Sequence, residues 1–437
     1  MGAAVETALS VLEKHLNQPL LTALEVCARC GLCAEACHYY AADPSPENEP
    51  AWRCESLRRV TRPVYDPVSR WLPAWTRSEP LTEERLLALA EMAFSKCTLC
   101  RRCTFNCPMG VDTPLLMGTV RAMATAAGCA PEMLEMLADA AIEKGRQPET
   151  YLPFFLDCIH EMEADLRRLT GNPEARIPVR KAGARMLYVA LAGAHTILPA
   201  AAIFETVSED WTLSIFEASN YAVFLNDVPR AKEIARRIVD EARQLGVEEI
   251  VISECGHAYQ AMRWSAPNWF GAEFSFRVRS IVEVIAEYLR QGRLRLDPSA
   301  NPEPITYHDP CNLGRNGGVL EEPREVLRAA VADFREMTPN RQANYCCGGG
   351  SGLVALPEYE AVRLKAGKPK VRQIGATGAA WVAAACENCR LQLTDLAGHY
   401  QAGYQVTGLT DLVVRAMRLP GASAVAAAME STALSAA

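Results

Sequence analysis

The chain has 437 residues, 49% hydrophobic and 22% charged, with 45 Lys and Arg against 52 Asp and Glu for a formal charge of -7. The length suggests roughly two or three domains, and the apolar fraction suits buried cores and excludes a disordered chain. The acidic balance leaves no basic field for nucleic-acid phosphates, so nucleic acid is excluded as a partner.

The first twenty residues, MGAAVETALSVLEKHLNQPL, carry Glu6, Glu13 and Lys14 and lack the basic start of a secretory signal. Val5, Leu9, Leu12 and Leu16 recur at helical spacing and predict an amphipathic helix over 1–20. With no export signal, the 17 cysteines do not suggest a disulfide framework. A reducing cytosol keeps thiols free, which makes metal ligation the leading explanation.

Two cysteine runs follow. Cys27, Cys30, Cys33 and Cys37 have the spacing C-x2-C-x2-C-x3-C, and Cys97, Cys100, Cys103 and Cys107 repeat it with Pro108 behind. Three thiolates two residues apart wrap three corners of an iron–sulfur cube while the fourth points to a neighbouring cluster. Crossed ligation therefore gives Cys27, Cys30, Cys33 and Cys107 to one 4Fe-4S cubane and Cys97, Cys100, Cys103 and Cys37 to a second. Zinc also uses C-x2-C pairs, but a zinc ribbon separates them, whereas here the tight run occurs twice. His38 stands where the second run has proline and reads as a tolerated variant. Between the runs, RPVYDPVSRWLPAW is proline-rich and TEERLLALAEMAF helical. Cys54, Cys129 and Cys158 fall outside every motif and read as small buried residues.

The uncharged run over 186–204 is long enough to span a bilayer, yet it contains Gly193, His195 and Pro199 and opens like a buried strand. It is read as strand, turn and helix. From about Arg185 the pattern alternates: RMLYVAL, YAVFL, EEIVIS, PITYH and AAWVAAA as strands, and VPRAKEIARRIVDEARQL, FRVRSIVEVIAEYLRQ and YEAVRLKAGKPKVRQI as helices. Such alternation predicts α/β units with parallel sheets. The units are duplicated: GVEEIVIS before Glu254-Cys255-Gly256-His257-Ala258 parallels GAAWVAAA before Cys386-Glu387-Asn388-Cys389, so Cys255 matches Cys386 and Ala258 matches Cys389.

The second copy holds Cys311, Cys346, Cys347, Cys386 and Cys389. Gaps of 34 and 38 residues each fit a helix and a returning chain, so the three elements can meet at the carboxyl edge of a sheet, where open α/β folds bind ligands. Gly348, Gly349 and Gly350 would let the backbone approach a bulky cofactor. Five thiolates exceed what one zinc uses and suit a multi-iron cluster.

These motifs resemble a known family. C-x34-CCG-x37-C-x2-C looks like the cysteine-rich CCG domain of heterodisulfide reductase catalytic subunits. The double C-x2-C-x2-C-x3-C looks like the electron-feeding domain fused to it in HdrD-type subunits. SECGHAY and TLSIFEASNY are similar to the DsrK-type branch, which works with a membrane cytochrome b subunit on protein-bound sulfur. The resemblance implies an α+β chain, a mostly helical ferredoxin-type two-cluster domain followed by a duplicated α/β CCG pair. The expected units are the helix at 1–20, the two-cluster domain at 21–125, a helical linker at 126–184, a degenerate CCG lobe at 185–300, a complete lobe at 301–420 and a tail at 421–437. It implies two cubane clusters and a third 4Fe-4S cluster, cubane or noncubane, on the five cysteines. In the family two CCG copies bind noncubane clusters; here the first copy lacks the paired cysteines and keeps Cys255 alone.

The expected function is an iron–sulfur oxidoreductase subunit moving electrons between a membrane quinone-reactive cytochrome b partner and a thiol or disulfide substrate, or a small sulfur-carrier protein. Cys255 would handle sulfur or add a ligand, with His257 and His308 as proton donors near neutral pH; a hydrogen-bonded structural role is the alternative for each histidine. The expected location is cytoplasmic, held at the membrane through the partner. The N-terminal helix and the segment 62–75, with Trp71 and Trp75, offer surfaces to that partner, local packing being the other reading of the tryptophans. Two rival functions remain: the iron–sulfur subunit of a flavin-dependent glycolate, lactate or glycerol 3-phosphate dehydrogenase, its flavin on a partner because no G-x-G-x-x-G follows a strand here, and a zinc scaffold.

Overall fold

Apolar residues at helical spacing build the first part of the chain in the computed structural model, which describes residues 2–191 and 193–420. Helix Ala3–His15 buries Val5, Ala8 and Leu12 against helices Thr113–Ala126 and Glu83–Ser95. Its apolar face is thus used inside its own domain rather than offered to a partner. Thr82 caps the Glu83–Ser95 helix by accepting from Arg85 N at 3.3 Å, as expected of a threonine before an acidic first turn. Helix Pro50–Tyr65 lies between the two cysteine runs and buries Arg53, Cys54 and Arg58. Trp71 and Trp75 are 84% and 77% exposed, so local packing does not account for them. Helices Glu132–Arg146 and Pro148–Thr170 then lead into the second part. The expected tail at 421–437 lies outside the described residues.

Two four-stranded parallel sheets follow. The first contains β1 (Met186–Val189), β2 (Trp211–Leu213), β3 (Glu249–Ile252) and β4 (Arg277–Ser280) in the order β2-β1-β3-β4. The second contains β5 (Pro304–Tyr307), β6 (Asp333–Arg335), β7 (Trp381–Ala383) and β8 (Gln405–Thr407) in the order β6-β5-β7-β8. The same order twice makes the two α/β lobes structural repeats, and the whole is α+β. In each lobe the chain leaves the first strand on one side and returns beyond it as the third. This sets a switch point between β1 and β3, and between β5 and β7, where such sheets open a crevice.

Two expected elements change type. YAVFL, expected as a strand, is helix Ala222–Leu225, packed on helices Glu132–Arg146 and Val228–Leu245. A five-residue apolar run has no periodicity to separate a buried helical turn from a buried strand. FRVRS, expected to begin a helix, is β4, and the helix starts only at Ile281 under the Ser280 capping box. Its alternating arginines belong to a sheet edge: Arg279 is buried and paired with Glu249 on β3. Among the described residues no helix is long and apolar enough to cross a membrane; 186–204 contains β1 and the start of helix Ala194–Thr206, the strand and helix expected there.

Candidate metal centres

The two cysteine runs take up one backbone shape. Arg29 and Gly31 in the first, and Leu99 and Arg101 at the matching positions of the second, all have positive φ (57°, 79°, 52° and 63°). Each left-handed residue turns the chain so that successive thiols face one point, and short helices Leu32–Ala36 and Arg102–Phe105 carry the third cysteine of each run. Cys27, Cys30, Cys33 and Cys107 line one cavity. Cys54, outside every motif, lines it too, and its hydrogen bond holds Cys27 down to about 6. Cys37 faces the other way: it lies with Cys97, Cys100 and Cys103, and the buried Arg53 guanidinium donates to its Sγ at 3.7 and 3.8 Å. The last cysteine of each run thus joins the other run's first three.

The five cysteines of the second lobe come from three places around its switch point. Cys311 follows β5, Cys386 is the N-cap residue of helix Glu387–Tyr400 after β7 with Cys389 in the first turn, and Cys346 and Cys347 sit on the loop after β6. Their sulfurs form a chain: Cys311 with Cys346, Cys346 with Cys347, Cys347 with Cys389 at 3.6 Å, and Cys389 with Cys386. The thiols of Cys100 and Cys311 hold Cys346 below its usual range, those of Cys346 and Cys389 hold Cys347 well below it, and Cys389 brings Cys386 to about 7. Thiols gathered this closely fit the donor set of a metal or cluster, which takes thiolates outright.

Packing demands two of the glycines after the pair. A Cβ on Gly348, whose φ is 102°, would sit 2.8 Å from Arg363 O, and one on Gly349 would sit 2.5 Å from Val354 Cγ2 and 2.7 Å from Gln392 Cβ. The loop needs glycine to press against helices Glu360–Gly375 and Glu387–Tyr400.

The first lobe also reaches this centre. The Gly256 amide donates to Cys386, and Cys255 is buried close enough to Cys386 for their charges to interact. His257 Nε2 accepts from Asn220 N at 3.4 Å, which puts the ring proton on Nδ1, 3.3 Å from Cys255 Sγ. The His257 ring packs on Phe224 with centroids 4.7 Å apart. Burial pushes His257 down to about 4, and burial with Lys370 nearby pushes His308 well below 6.5. Both shifts favour the neutral ring, in which one nitrogen donates and the other accepts.

The two parts of the chain meet sulfur to sulfur. Cys100 of the second run is hydrogen-bonded to Cys346, and a His38 nitrogen, Cys100 Sγ and Cys346 Sγ lie within 4.8 Å of one another. His38 is 3% exposed and its Nε2 has no hydrogen-bond partner. Arg315, on the loop after Cys311, donates to Cys100 O at 2.7 Å, and Arg102 to Ala343 O at 2.7 Å. Sequence reasoning missed Arg53, Cys54, Arg315 and the role of His38. The sole signal was that His38 breaks the match to Pro108.

Residues 23–111 match the 4Fe-4S dicluster domain family and residues 305–394 the cysteine-rich domain family, CCG. The chain is 28% identical, over an alignment of 417 residues that covers 85% of it and 74% of the relative, to the Hdr-like menaquinol oxidoreductase iron-sulfur subunit 2 of Archaeoglobus fulgidus. It is 26% identical over 423 residues, covering 94% and 98%, to a dihydromethanophenazine:CoB–CoM heterodisulfide reductase subunit of Methanosarcina mazei. Over 113 residues, 26% of this chain and 15% of the relative, it is 36% identical to the EtfAB:quinone oxidoreductase of Syntrophomonas wolfei.

Proposed function

The chain being an HdrD-like iron–sulfur protein, an electron-transfer subunit of the oxidoreductase class, we propose that it exchanges electrons between a membrane quinone-reactive cytochrome b partner and a thiol–disulfide substrate. Sulfur would be cleaved or joined beside the five-cysteine centre. The net change is R–S–S–R′ + 2e⁻ + 2H⁺ to R–SH + R′–SH, in either direction. The observation that carries the reading is the Cys100–Cys346 contact, which joins the ferredoxin-type part to the CCG lobe with no intervening side chain.

In this reading Cys27, Cys30, Cys33 and Cys107 hold one cubane, Cys97, Cys100, Cys103 and Cys37 a second, and Cys311, Cys346, Cys347, Cys386 and Cys389 a third 4Fe-4S group. When bound, such clusters store and release single electrons, which a two-electron disulfide step needs if its partner delivers them singly. The chain's own residues do the rest. Cys255 offers a thiol beside Cys386, with the His257 Nδ1–H to stabilise its thiolate. A nitrogen of His308 lies within 4.8 Å of Cys347 and Cys389, where an N–H stabilises negative sulfur. Burial of Cys255, Cys346, Cys347, Cys386 and Cys389 limits hydrolytic and oxidative side reactions. The anaerobic protein is expected to reduce a disulfide with a reduced viologen dye as donor. Cys346→Ala should abolish that turnover while leaving the cubane paramagnetic signals in place; undiminished turnover would refute the assignment.

A second reading, an electron relay between a separate flavoprotein and quinone, is favoured by one observation: the first lobe carries Cys255 alone where the second carries five cysteines. A chain inert toward disulfides that reduces quinone when given a reduced flavoprotein would decide for the relay.

A further inference from the structure

Lys370, on helix Glu360–Gly375, has 0% exposure and no ion-pair partner among the described residues. Its Nζ donates to Asn344 Oδ1 at 2.6 Å and to Gln373 Oε1, and lies 3.7 Å from Met337 Sδ. The nearest carboxylate is already matched: Asp309 is held bidentately by Arg324 at 2.8 and 2.9 Å. The other charges that act on Lys370 are the sulfurs of Cys347, Cys346 and Cys389. A buried ammonium is costly unless anionic charge faces it, and here Asp309, already paired with Arg324, and the five-cysteine centre supply that.

The same contacts orient a second group. Asn344 gives its oxygen to Lys370 and its amide Nδ2 to Asp309 O at 3.0 Å and to His308 Nδ1 at 3.3 Å. Both ends agree, so the amide cannot be reversed without placing donor against donor. With Nδ1 accepting, the His308 proton sits on Nε2, which has no other hydrogen-bond partner, on a ring that has a nitrogen within 4.8 Å of the Cys347 and Cys389 sulfurs.

We propose that Lys370 is the counter-cation of the five-cysteine centre, balancing its thiolate charge and, through Asn344, holding the His308 imidazole in the tautomer that leaves Nε2–H free for sulfur. Lys370 is a positioning residue: it touches neither a ligand nor substrate, and it acts by making added negative charge on the centre easier to accept. The inference rests on the reading that these cysteines hold an iron–sulfur group. Burial draws the ammonium down to about 7, against the opposing pull of Asp309 and of the Cys347, Cys346 and Cys389 sulfurs.

The test is a redox titration of the full-length anaerobic protein followed by electron paramagnetic resonance, with Lys370→Met and Lys370→Arg beside wild type. Removing the charge should disfavour reduction of the third centre at least tenfold, a fall of about 59 mV for a one-electron couple. Lys370→Arg should restore most of it, and the two cubane signals should not move. An unshifted third signal in Lys370→Met overturns the inference. If Lys370→Met loses iron, Lys370→Gln takes its place. Loss from both neutral variants with retention in Lys370→Arg supports a need for charge, whereas loss from all three makes the residue a packing element and overturns it. A wild-type protein without a third iron signal removes the underlying reading instead, and the inference with it.

Discussion

Arg53 and His38 show how single side chains adapt a repeated cysteine run to its surroundings. Arg53 is 2% exposed, donates to Cys37 Sγ and Asn48 O, and faces Cys97 and Cys103 as well. A charge-assisted hydrogen bond of this kind is worth roughly 1.5–3 kcal/mol. Arg53→Met should lower the midpoint potential of the second cubane and speed its loss of iron, followed by anaerobic titration and iron release to a chelator. Lys should rescue poorly, because an ammonium lacks the planar fork. His38→Pro restores the residue that follows the other run; it is expected to keep full iron content yet lower the same potential, since a donor between Cys100 and Cys346 is lost. An unchanged potential would return His38 to the role of a tolerated variant. The thiol pattern was legible because spacing encodes it. Arg53, Cys54 and Lys370 were not, because they approach the cysteines, Lys370 through Asn344, from helices whose sequence carries no metal-binding spacing.

Short elements decide where those thiols end up. Helix Val228–Leu245 could be read to the residue from its apolar stripe, and Asp227 caps it by accepting from Arg230 N at 3.0 Å. The three-residue strands β2, β6 and β8 are too short for period two to show, and β4 hid behind its arginines. The sheet order needed three dimensions. One contact binds the two lobes at their carboxyl ends: buried Glu254 accepts from Leu409 N at 2.8 Å and Thr410 N at 3.2 Å, and pairs with Arg390 at 2.6 Å. The carboxylate thus caps helix Leu409–Ala416 of the other lobe. Glu254→Leu should cost about 1–3 kcal/mol, since it leaves two amides without their acceptor and Arg390 with Glu387 alone, and should appear as a lower Tm in anaerobic thermal unfolding. No loss would mean that the lobes are joined by their apolar core alone.

At the scale of the molecule, buried Arg121 draws three units together. Its guanidinium donates to Ala93 O and Cys97 O of the ferredoxin-type part, to Phe224 O of the first lobe at 2.7 Å and to Ser351 O of the second at 3.3 Å. Arg121→Met leaves four carbonyls without a donor, a cost of about 3 kcal/mol or more, and should expose the junction to limited proteolysis before either part unfolds. Cys30 is exposed, whereas Cys346, beside Cys100, is buried. The central claim is that thiols from both parts of the chain form three iron centres in one line. Iron and acid-labile sulfide analysis of the anaerobic protein, with paramagnetic resonance before and after adding thiol, tests it most directly. About twelve iron atoms per chain and a third signal that responds to thiol, lost in Cys311→Ala and magnetically coupled to the Cys97 group, are the predicted result. About eight iron atoms with no signal beyond the two cubanes, or zinc on the five cysteines, would contradict it.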